Sequence, residues 1–276
     1  MFREKIESGR FVLTCEVLTP VEFDRDRLIE ELRPLSDLVD GFNLPFCPLG
    51  RLRPHPIATA LLIKDGLGSE PILHLAARHQ TVLGFEATLL FCHSIGIRSI
   101  LLVSGDPPRE GEGNFRLNSI HLLKIASSLN QGISISRRRI PPTEFLLSAA
   151  YNPNRPNIGG EHLRLHRKIE AGARVIFTQP VFDPESFQER IRVIPDQIRV
   201  IAGLSFLYEP KIAWRLRKFL GIPHSYITRL SGDETGLLLK TARKIRNSVD
   251  GFYIISIGRY DRALELIRRL KAEGIV

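Results

Sequence analysis

One pattern recurs along the whole chain and restricts the folds open to it. A short run of apolar and β-branched residues is followed by a cluster of Gly, Pro, Asn or Asp, and then by an amphipathic segment of about ten residues or more. Strand and helix therefore alternate throughout the sequence. The pattern predicts eight strands, at residues 11–18, 38–44, 71–77, 97–105, 144–151, 173–179, 198–204 and 251–258.

Amphipathic segments between these strands predict the helices. The last two strands are separated by two predicted helices, and each other pair by one. The predicted helices lie at residues 24–35, 55–65, 84–95, 116–130, 161–171, 184–193, 209–219, 234–248 and 260–272.

The strands themselves indicate how the sheet is built. Runs such as VIFT and SILLV are apolar on consecutive residues, which is typical of parallel strands covered on both faces. Eight such units predict a closed (β/α)8 TIM barrel, formed as one domain by residues 1–276, with an extra N-terminal helix, FREKIES, over the N-terminal mouth. An open doubly wound sheet is the alternative. It is disfavoured because no Gly-rich dinucleotide fingerprint follows the first strand.

Composition narrows the classes of function. The formal charge is +9, but the Arg-rich stretches alternate with apolar residues at helical spacing, which favours solvated helix faces over a nucleic-acid surface. An anionic substrate or cofactor explains the charge equally well. No segment approaches the roughly 18 apolar residues of a membrane span, and the N-terminus lacks a secretory apolar core, so we expect a cytoplasmic protein.

The sequence patterns of several common kinds of site are not found in this chain. The cysteines Cys15, Cys47 and Cys92 are odd in number and far apart, which favours buried small side chains over disulfides or a zinc site. No cluster with metal-ligand spacing, GxSxG turn or Walker loop is present. We therefore expect neither metal chemistry nor acyl transfer.

Polar residues at the predicted strand ends are the candidates for chemistry, because barrel active sites form there. Glu16 lies within the apolar first strand, where an unpaired carboxylate is costly and burial raises its pKa toward neutrality. That suits a general acid, and a structural ion pair is the alternative. Asp106 follows Gly105, which permits a close approach, and precedes two prolines in SGDPP. We expect the Asp106 carboxylate to face the barrel mouth, and the alternative is that Asp106 serves only as a turn residue.

Later strand ends add binding candidates. Gln179 ends the sixth strand in TQPVFD, and its amide is able to donate and accept hydrogen bonds at the amide edge of a heterocycle. The alternative is that Gln179 only forms hydrogen bonds within its own loop. Tyr151 is expected as an aromatic wall near the mouth, and Arg155 as a phosphate or carboxylate clamp. His74, in the third strand, is a candidate site residue. The alternative is a structural histidine in the core whose ring nitrogens are already hydrogen-bonded.

Together these stretches resemble the methylenetetrahydrofolate reductase family, the flavin-dependent barrels of one-carbon metabolism and methionine biosynthesis. The first strand of that family has a catalytic Glu followed by Pro, as in Glu16 and Pro20, and its fourth ends in Gly-Asp-Pro. The stretch RKIEAGARVIFTQPVFD is similar to its sixth strand, and FYIISIGRYDRALELI to its last strand and helix. The resemblance covers nearly the whole chain.

The resemblance implies a cofactor, a reaction and roles for the candidates. FAD would bind across the strand ends, and hydride would pass from reduced flavin to the methylene group of a folate or related pterin. Glu16 would protonate the folate nitrogen, Asp106 would adjust the charge that flavin and pterin experience, and Gln179 would bind the pterin. Arg259, in the turn after the last strand, would contact substrate. The implied cofactor set is His74, Gly105, Asp106, Ala150, Tyr151, Arg155, Glu161, Lys168 and Ala173.

Departures from the family leave the electron donor open. Ser104 stands where many members have Arg, Arg155 where many have His, and Ala76 and Ala77 replace Thr-Cys after His74 and Leu75. NAD(P)H and a partner subunit both remain as candidate electron donors, and the sequence is compatible with a homo-oligomer. Two other functions remain, a pterin- or corrinoid-linked methyltransferase and a non-catalytic barrel subunit of a larger complex.

Overall fold

Eight parallel strands close into a barrel in chain order. The computed structural model describes residues 1–109, 111–230 and 232–276. Each strand hydrogen-bonds to the next, and the last returns to the first with Val12 beside Gly251. The predicted closed barrel is confirmed, and the open doubly wound alternative is wrong. The strands are β1 (Val12–Glu16), β2 (Gly41–Leu44), β3 (Pro71–Ala76), β4 (Ser99–Val103), β5 (Leu146–Tyr151), β6 (Val175–Pro180), β7 (Arg199–Ser205) and β8 (Gly251–Ile255).

Helices surround the barrel and run back from the end of each strand to the start of the next. Their apolar faces pack on the outside of the sheet and form the largest of three apolar clusters among the described residues. The helices are α1 (Phe2–Glu7), α2 (Arg25–Ser36), α3 (Ile57–Leu67), α4 (Val82–Ser94), α5 (Ser119–Asn130), α6 (Ile158–Glu170), α7 (Pro184–Ile191), α8 (Pro210–Leu220), α9 (His224–Arg229), α10 (Glu234–Ile245) and α11 (Tyr260–Ala272).

A second apolar cluster fills the barrel interior. Alternate strand residues such as Val12, Phe177 and Tyr253 meet Phe2 and Ile6 of α1 there. Phe2 and Ile6 are almost fully buried, and burial of the two side chains stabilises the fold by about 3–6 kcal/mol. The predicted N-terminal helix therefore covers the N-terminal mouth and leaves the opposite mouth for a site.

The connection between β7 and β8 differs from the prediction. Its described residues hold three α-helices and a short 3-10 helix, Arg246–Ser248, where two helices were predicted. The six-residue α9 is too short to show a helical period in the sequence. Tyr226 and Ile227 of α9 pack with Phe182 and Ala213 in a separate, satellite core. The β7–β8 connection therefore adds its own small layer to the barrel.

The end of β4 and the burial of the cysteines can also be compared with the expectations from the sequence. β4 ends at Val103, two residues early, because Gly105 takes a φ of +86° that no strand residue adopts. Cys15 and Cys92 are buried free thiols as expected, whereas Cys47 is only partly buried. Within the described residues, no helix is long and apolar enough to cross a membrane.

Candidate functional site

The carboxyl ends of the strands place a set of polar side chains on the inside of the barrel. Successive strand residues point to opposite faces, so Glu16 shares the inward face of Val12 in β1. In β6 the pairing register shifts between Phe177 and Pro180, so Gln179 lies in an irregular stretch at the end of that strand. The same alternation turns His74 of β3 inward. The open mouth is therefore lined by residues from several strands, as in other barrel sites.

Glu16 is the buried carboxyl group of this mouth. Its side chain accepts hydrogen bonds from the Tyr253 hydroxyl to Oε2 at 3.1 Å and from the Ile257 backbone N–H to Oε1 at 3.2 Å. Within the described part of the chain, no cationic group lies within 4 Å of it. The alternative of a structural ion pair is therefore wrong.

Burial dominates the ionisation of Glu16. Loss of solvation raises its pKa from 4.5 to about 7, against the lowering effect of the hydrogen bonds from Tyr253 and Ile257. The direction agrees with the expectation from the sequence. A carboxyl group with a pKa near 7 is partly protonated at neutral pH, which is the state that a general acid requires.

The backbone that follows β8 is held in an unusual conformation at Glu16. Ile257 has a φ of +50°, which a β-branched residue rarely adopts. In that conformation its N–H points at the Glu16 carboxyl group, while its side chain remains 41% exposed. Backbone strain at a hydrogen bond to a buried acid is typical of functional sites.

Tyr253 connects Glu16 to a second buried polar pair. Its ring meets His74 edge-on, with the ring centroids 6.3 Å apart. The Asn43 side-chain amide lies 3.1 Å from His74 Nε2, and burial lowers the pKa of His74 to about 3. His74 is therefore neutral, and Nε2 accepts the Asn43 N–H. The buried Asn43 Oδ1 has no hydrogen-bond partner among the described residues.

Tyr253 and Asn43 are site residues that the sequence did not identify. Both lie inside strands of mixed apolar sequence instead of at a polar strand end. The inward alternation around Phe252 and Phe42 is the only pattern that would have found them.

Asp106 lies in the loop after β4 and stabilises the loop after β2. Its Oδ2 accepts the Leu49 N–H at 2.9 Å, where Leu49 has a φ of +58°. Asp106 is half-buried. One carboxylate oxygen is therefore engaged by the neighbouring loop, and the turn role and a role at the mouth are compatible.

Arg78 joins three adjacent loops and was not identified from the sequence. It follows β3, is 1% exposed, and donates to the carbonyl oxygens of Asp106, Cys47 and Phe46. A Cβ on Gly105 would lie 3.0 Å from Ala76 Cβ and 3.2 Å from Arg78 Cγ. Gly105 therefore permits the close approach expected of it.

The same region explains the departure at Ser104. Its hydroxyl accepts the Ser119 N–H at 3.2 Å, at the start of α5. Arg78 instead places a guanidinium group beside Gly105 and Asp106. The positive charge next to this pair thus comes from a different strand end.

A cationic group lies at the end of β5. The buried Lys168 donates from Nζ to the Ala150 carbonyl oxygen at 2.6 Å, and burial lowers its pKa, as do the nearby Arg164 and Arg155. Arg155 itself is exposed. Glu161 accepts the Asn152 N–H at 3.1 Å and pairs with Arg164 at 2.7 Å, so it stabilises this loop.

The side chains of Gln179 and Arg259 differ in whether they already have partners in the protein. The half-buried Gln179 amide has no hydrogen-bond partner within the described ranges, so it is free to bind a ligand. Arg259 pairs with Asp261 at 3.1 Å and lies 5.5 Å from the centre of the Tyr208 ring. Arg259 is largely exposed at the rim.

Two sequence-based assignments are wrong for the side chains. Tyr151 is fully buried on the outer face of β5, where its hydroxyl donates to the Arg190 carbonyl oxygen at 3.2 Å, so it forms no wall at the mouth. Ala150, its neighbour, has the inward position. Ala173 precedes β6, at the opposite end of the barrel, and is fully buried in the outer core. It is too far down the barrel to contact a ligand at the mouth.

This arrangement has matches among known proteins. A family model described as methylenetetrahydrofolate reductase matches residues 1–236. The chain belongs to the methylenetetrahydrofolate reductase family. Methylenetetrahydrofolate reductase 2 of Saccharomyces cerevisiae is 24% identical over an alignment 277 positions long, which covers 90% of this chain and 44% of the yeast protein. The chain therefore spans less than half the length of this relative.

Solved structures share the fold of this family member. An uncharacterised Clostridium thermocellum protein that binds two copies of 5-methyl-5,6,7,8-tetrahydrofolic acid matches with a TM-score of 0.74 and 18% identity, covering 98% of this chain and 99% of that one. A 2,3-dimethylmalate lyase matches with a TM-score of 0.59 and 12% identity, covering 99% and 85%. At these identities the likeness establishes the barrel fold.

Proposed function

We propose that this chain binds FAD and a folate at the open mouth and reduces 5,10-methylenetetrahydrofolate to the 5-methyl form, with Glu16 as the acid. The buried Glu16 carboxyl group, with its pKa near 7, is the observation that carries the proposal. Family membership supports the reaction class. The folate ligand of the Clostridium thermocellum barrel supports the substrate class.

The residues at the mouth fit a flavin nucleotide. The unpartnered Asn43 Oδ1 offers an acceptor beside the neutral His74, and Gly105 leaves space where a side chain would fill it. Lys168 and Arg155 supply positive charge for phosphates. Bound FAD would supply hydride chemistry.

Glu16 performs the proton step in this proposal. With a pKa near 7 it is partly protonated at neutral pH, and the protonated form delivers its proton to a folate nitrogen. Tyr253 and Ile257 donate to Oε2 and Oε1 and stabilise the carboxylate that remains. The acid is thus returned to its protonated state by solvent once the product leaves.

Other mouth residues orient the substrate. Gln179 provides donor and acceptor atoms for the pterin, and Arg259 lies where the exposed end of a folate would leave the mouth. Asp106 contributes negative charge close to both ring systems. The electron donor is NAD(P)H or a partner subunit, and the substitutions at Ser104 and Arg155 bear on that choice.

The proposal is tested without knowing the electron donor. Purified protein is incubated with FAD, freed of unbound cofactor, examined by visible absorption, reduced with dithionite under anaerobic conditions, and given 5,10-methylenetetrahydrofolate. We expect retained flavin absorbance and 5-methyltetrahydrofolate by mass spectrometry. Glu16→Gln should retain flavin and form product at a rate lower by about a hundredfold or more. Glu30→Gln, an exposed control on α2, should behave as wild type.

Other outcomes would favour the other functions. A colourless protein after incubation with FAD would contradict flavin-dependent reduction. Methyl transfer to a corrinoid acceptor by that colourless protein would favour the methyltransferase. Absence of both activities, with Glu16→Gln binding partners as wild type does, would favour a non-catalytic subunit.

A further inference from the structure

The α8–α9 segment has an uneven distribution of charge. Residues 210–230 contain no Asp or Glu. The cationic residues of the segment are Lys211, Arg215, Arg217, Lys218 and Arg229. Because like charges close together on a helix repel one another, such a run is destabilising unless something else neutralises it.

One face of α8 carries most of this charge. Lys211, Arg215 and Lys218 are spaced at i, i+4 and i+7 and form a stripe along the helix. Trp214 borders the stripe on one side and Phe219 on the other, and they are 46% and 50% exposed. We call these five residues the α8 surface.

The opposite face of α8 is already covered. Ala213 is fully buried, and Leu216 and Leu220 pack with it in the satellite core. The α8 surface, in contrast, is exposed and open to contact with another molecule. Its aromatic residues are thus exposed even though α8 has an inner apolar face.

The cations of the α8 surface have no acidic partners in the described part of the molecule. No carboxylate lies within 4 Å of Lys211, Arg215 or Lys218 there, whereas arginines elsewhere, such as Arg243, have pairs. Their charges are therefore available to an acidic ligand.

The aromatic contacts argue against two kinds of ligand. Arg217 lies over the Trp214 ring at 5.2 Å, and His224 meets that ring edge-on at 5.2 Å, so the ring is a poor platform for stacking a base. A bilayer-binding helix presents a continuous apolar face to lipid, and in α8 that face is buried in the satellite core.

We infer that the α8 surface docks an acidic segment of a partner protein. Carboxylates of the partner would pair with Lys211, Arg215 and Lys218, and its apolar side chains would cover Trp214 and Phe219. Trp and Arg are enriched among the residues that contribute most to protein interfaces. Since α8 begins just after β7, the partner would stand at the same end of the barrel as the mouth. The inference does not depend on folate reduction.

Trp214 makes the test direct, because it is the chain's one tryptophan. The full-length protein is titrated with a synthetic peptide of alternating Glu and Leu residues while tryptophan fluorescence is recorded. We expect a saturable change that weakens with added salt. The triple variant K211E/R215E/K218E should raise Kd about tenfold or more. The control R268E/K271E, which reverses two exposed cations of α11, should leave Kd unchanged.

Three results would overturn the inference. The first is no fluorescence change with the acidic peptide, and the second is equal binding by an alternating Lys and Leu peptide. The third is tighter binding to polyuridylate or to phosphatidylglycerol vesicles, which would assign the surface to nucleic acid or lipid. Circular dichroism of each variant establishes that it is folded, so that a weaker Kd reports on the surface itself.

Discussion

Glu16 is placed where water solvates its charge poorly, and this burial opposes the two hydrogen bonds that stabilise the ionised form. The Tyr253 hydroxyl is itself unable to ionise near neutral pH, because burial and the adjacent Glu16 raise its pKa well above the usual value. Tyr253 therefore acts as a fixed donor. The balance between burial and these two donors sets the pH at which Glu16 holds a proton.

Removal of the Tyr253 hydroxyl tests that balance. Tyr253→Phe deletes the donor to Glu16 Oε2, so the pKa of Glu16 should rise, and folate reduction should persist to higher pH by about one pH unit. The measurement is the pH profile of single-turnover reduction. Tyr226→Phe is the matched control, because the buried Tyr226 hydroxyl has no partner in the described part of the chain. Equal profiles for both variants would show that Tyr253 does not influence Glu16.

At the level of elements, the mouth is organised by loops that hold one another in place. The loops after β2, β3 and β4 are joined by Arg78, and Asp106 adds a bond from the last of them to Leu49. A buried arginine that donates to several carbonyl oxygens contributes strongly, because each donor left unpaired would incur a desolvation cost. The position of Asp106 is therefore fixed before any ligand binds.

Gly105 is the most sensitive backbone position in these loops. Gly105→Ala introduces a side chain at a φ of +86° and against Ala76 and Arg78, so it should destabilise the protein by about 1–2 kcal/mol more than Gly68→Ala. Gly68 has a φ of +61° and no described atom within 4 Å of an added Cβ. Urea unfolding measures both variants. A smaller loss for Gly105→Ala would contradict the crowding that the structure indicates.

The elements also show what sequence patterns are able to predict. All eight strands were predicted, because parallel strands covered on both faces give apolar runs that stand out between helices. That property hides the direction of each side chain, since both strand faces are apolar. Tyr151 was expected as an aromatic wall near the mouth, although its side chain lies on the outer face and Ala150 has the inward position. Arg78 was not identified because its partners are backbone atoms of loops distant in sequence.

At the scale of the whole molecule, the barrel has one closed end and one open end. Phe2 and Ile6 fill the N-terminal mouth, and the acid lies at the other. The closed (β/α)8 fold follows from the repeat of the sequence, and the candidate acid follows from a carboxylate in an apolar strand. Its two hydrogen-bond donors, Tyr253 and Ile257, are more than 200 residues away in the chain, so the sequence alone does not reveal them.

The free energy of unfolding should depend on the ionisation of the buried Glu16 carboxyl group. Burial raises the pKa of Glu16 from 4.5 in the unfolded chain to about 7 in the folded protein, so the folded protein binds the proton more tightly. This proton binding stabilises the folded protein fully below about pH 4.5, and the stabilisation is lost as the pH rises through about 7. From about pH 5 to about pH 8, the unfolding free energy of wild type should fall by about 2–3 kcal/mol relative to Glu16→Gln. Urea titrations at several pH values measure it, with Glu30→Gln as the control. A difference that does not vary with pH would mean that Glu16 is already ionised in the folded protein.

The most direct test of the account is the reoxidation of protein-bound flavin by folate in a single turnover. FAD-loaded wild type and Glu16→Gln are reduced with dithionite and mixed anaerobically with 5,10-methylenetetrahydrofolate, and flavin absorbance is followed by stopped flow. The account predicts reoxidation by wild type and a rate for Glu16→Gln that is lower by about a hundredfold or more. Equal rates for the two proteins, or no reoxidation by wild type, would contradict it.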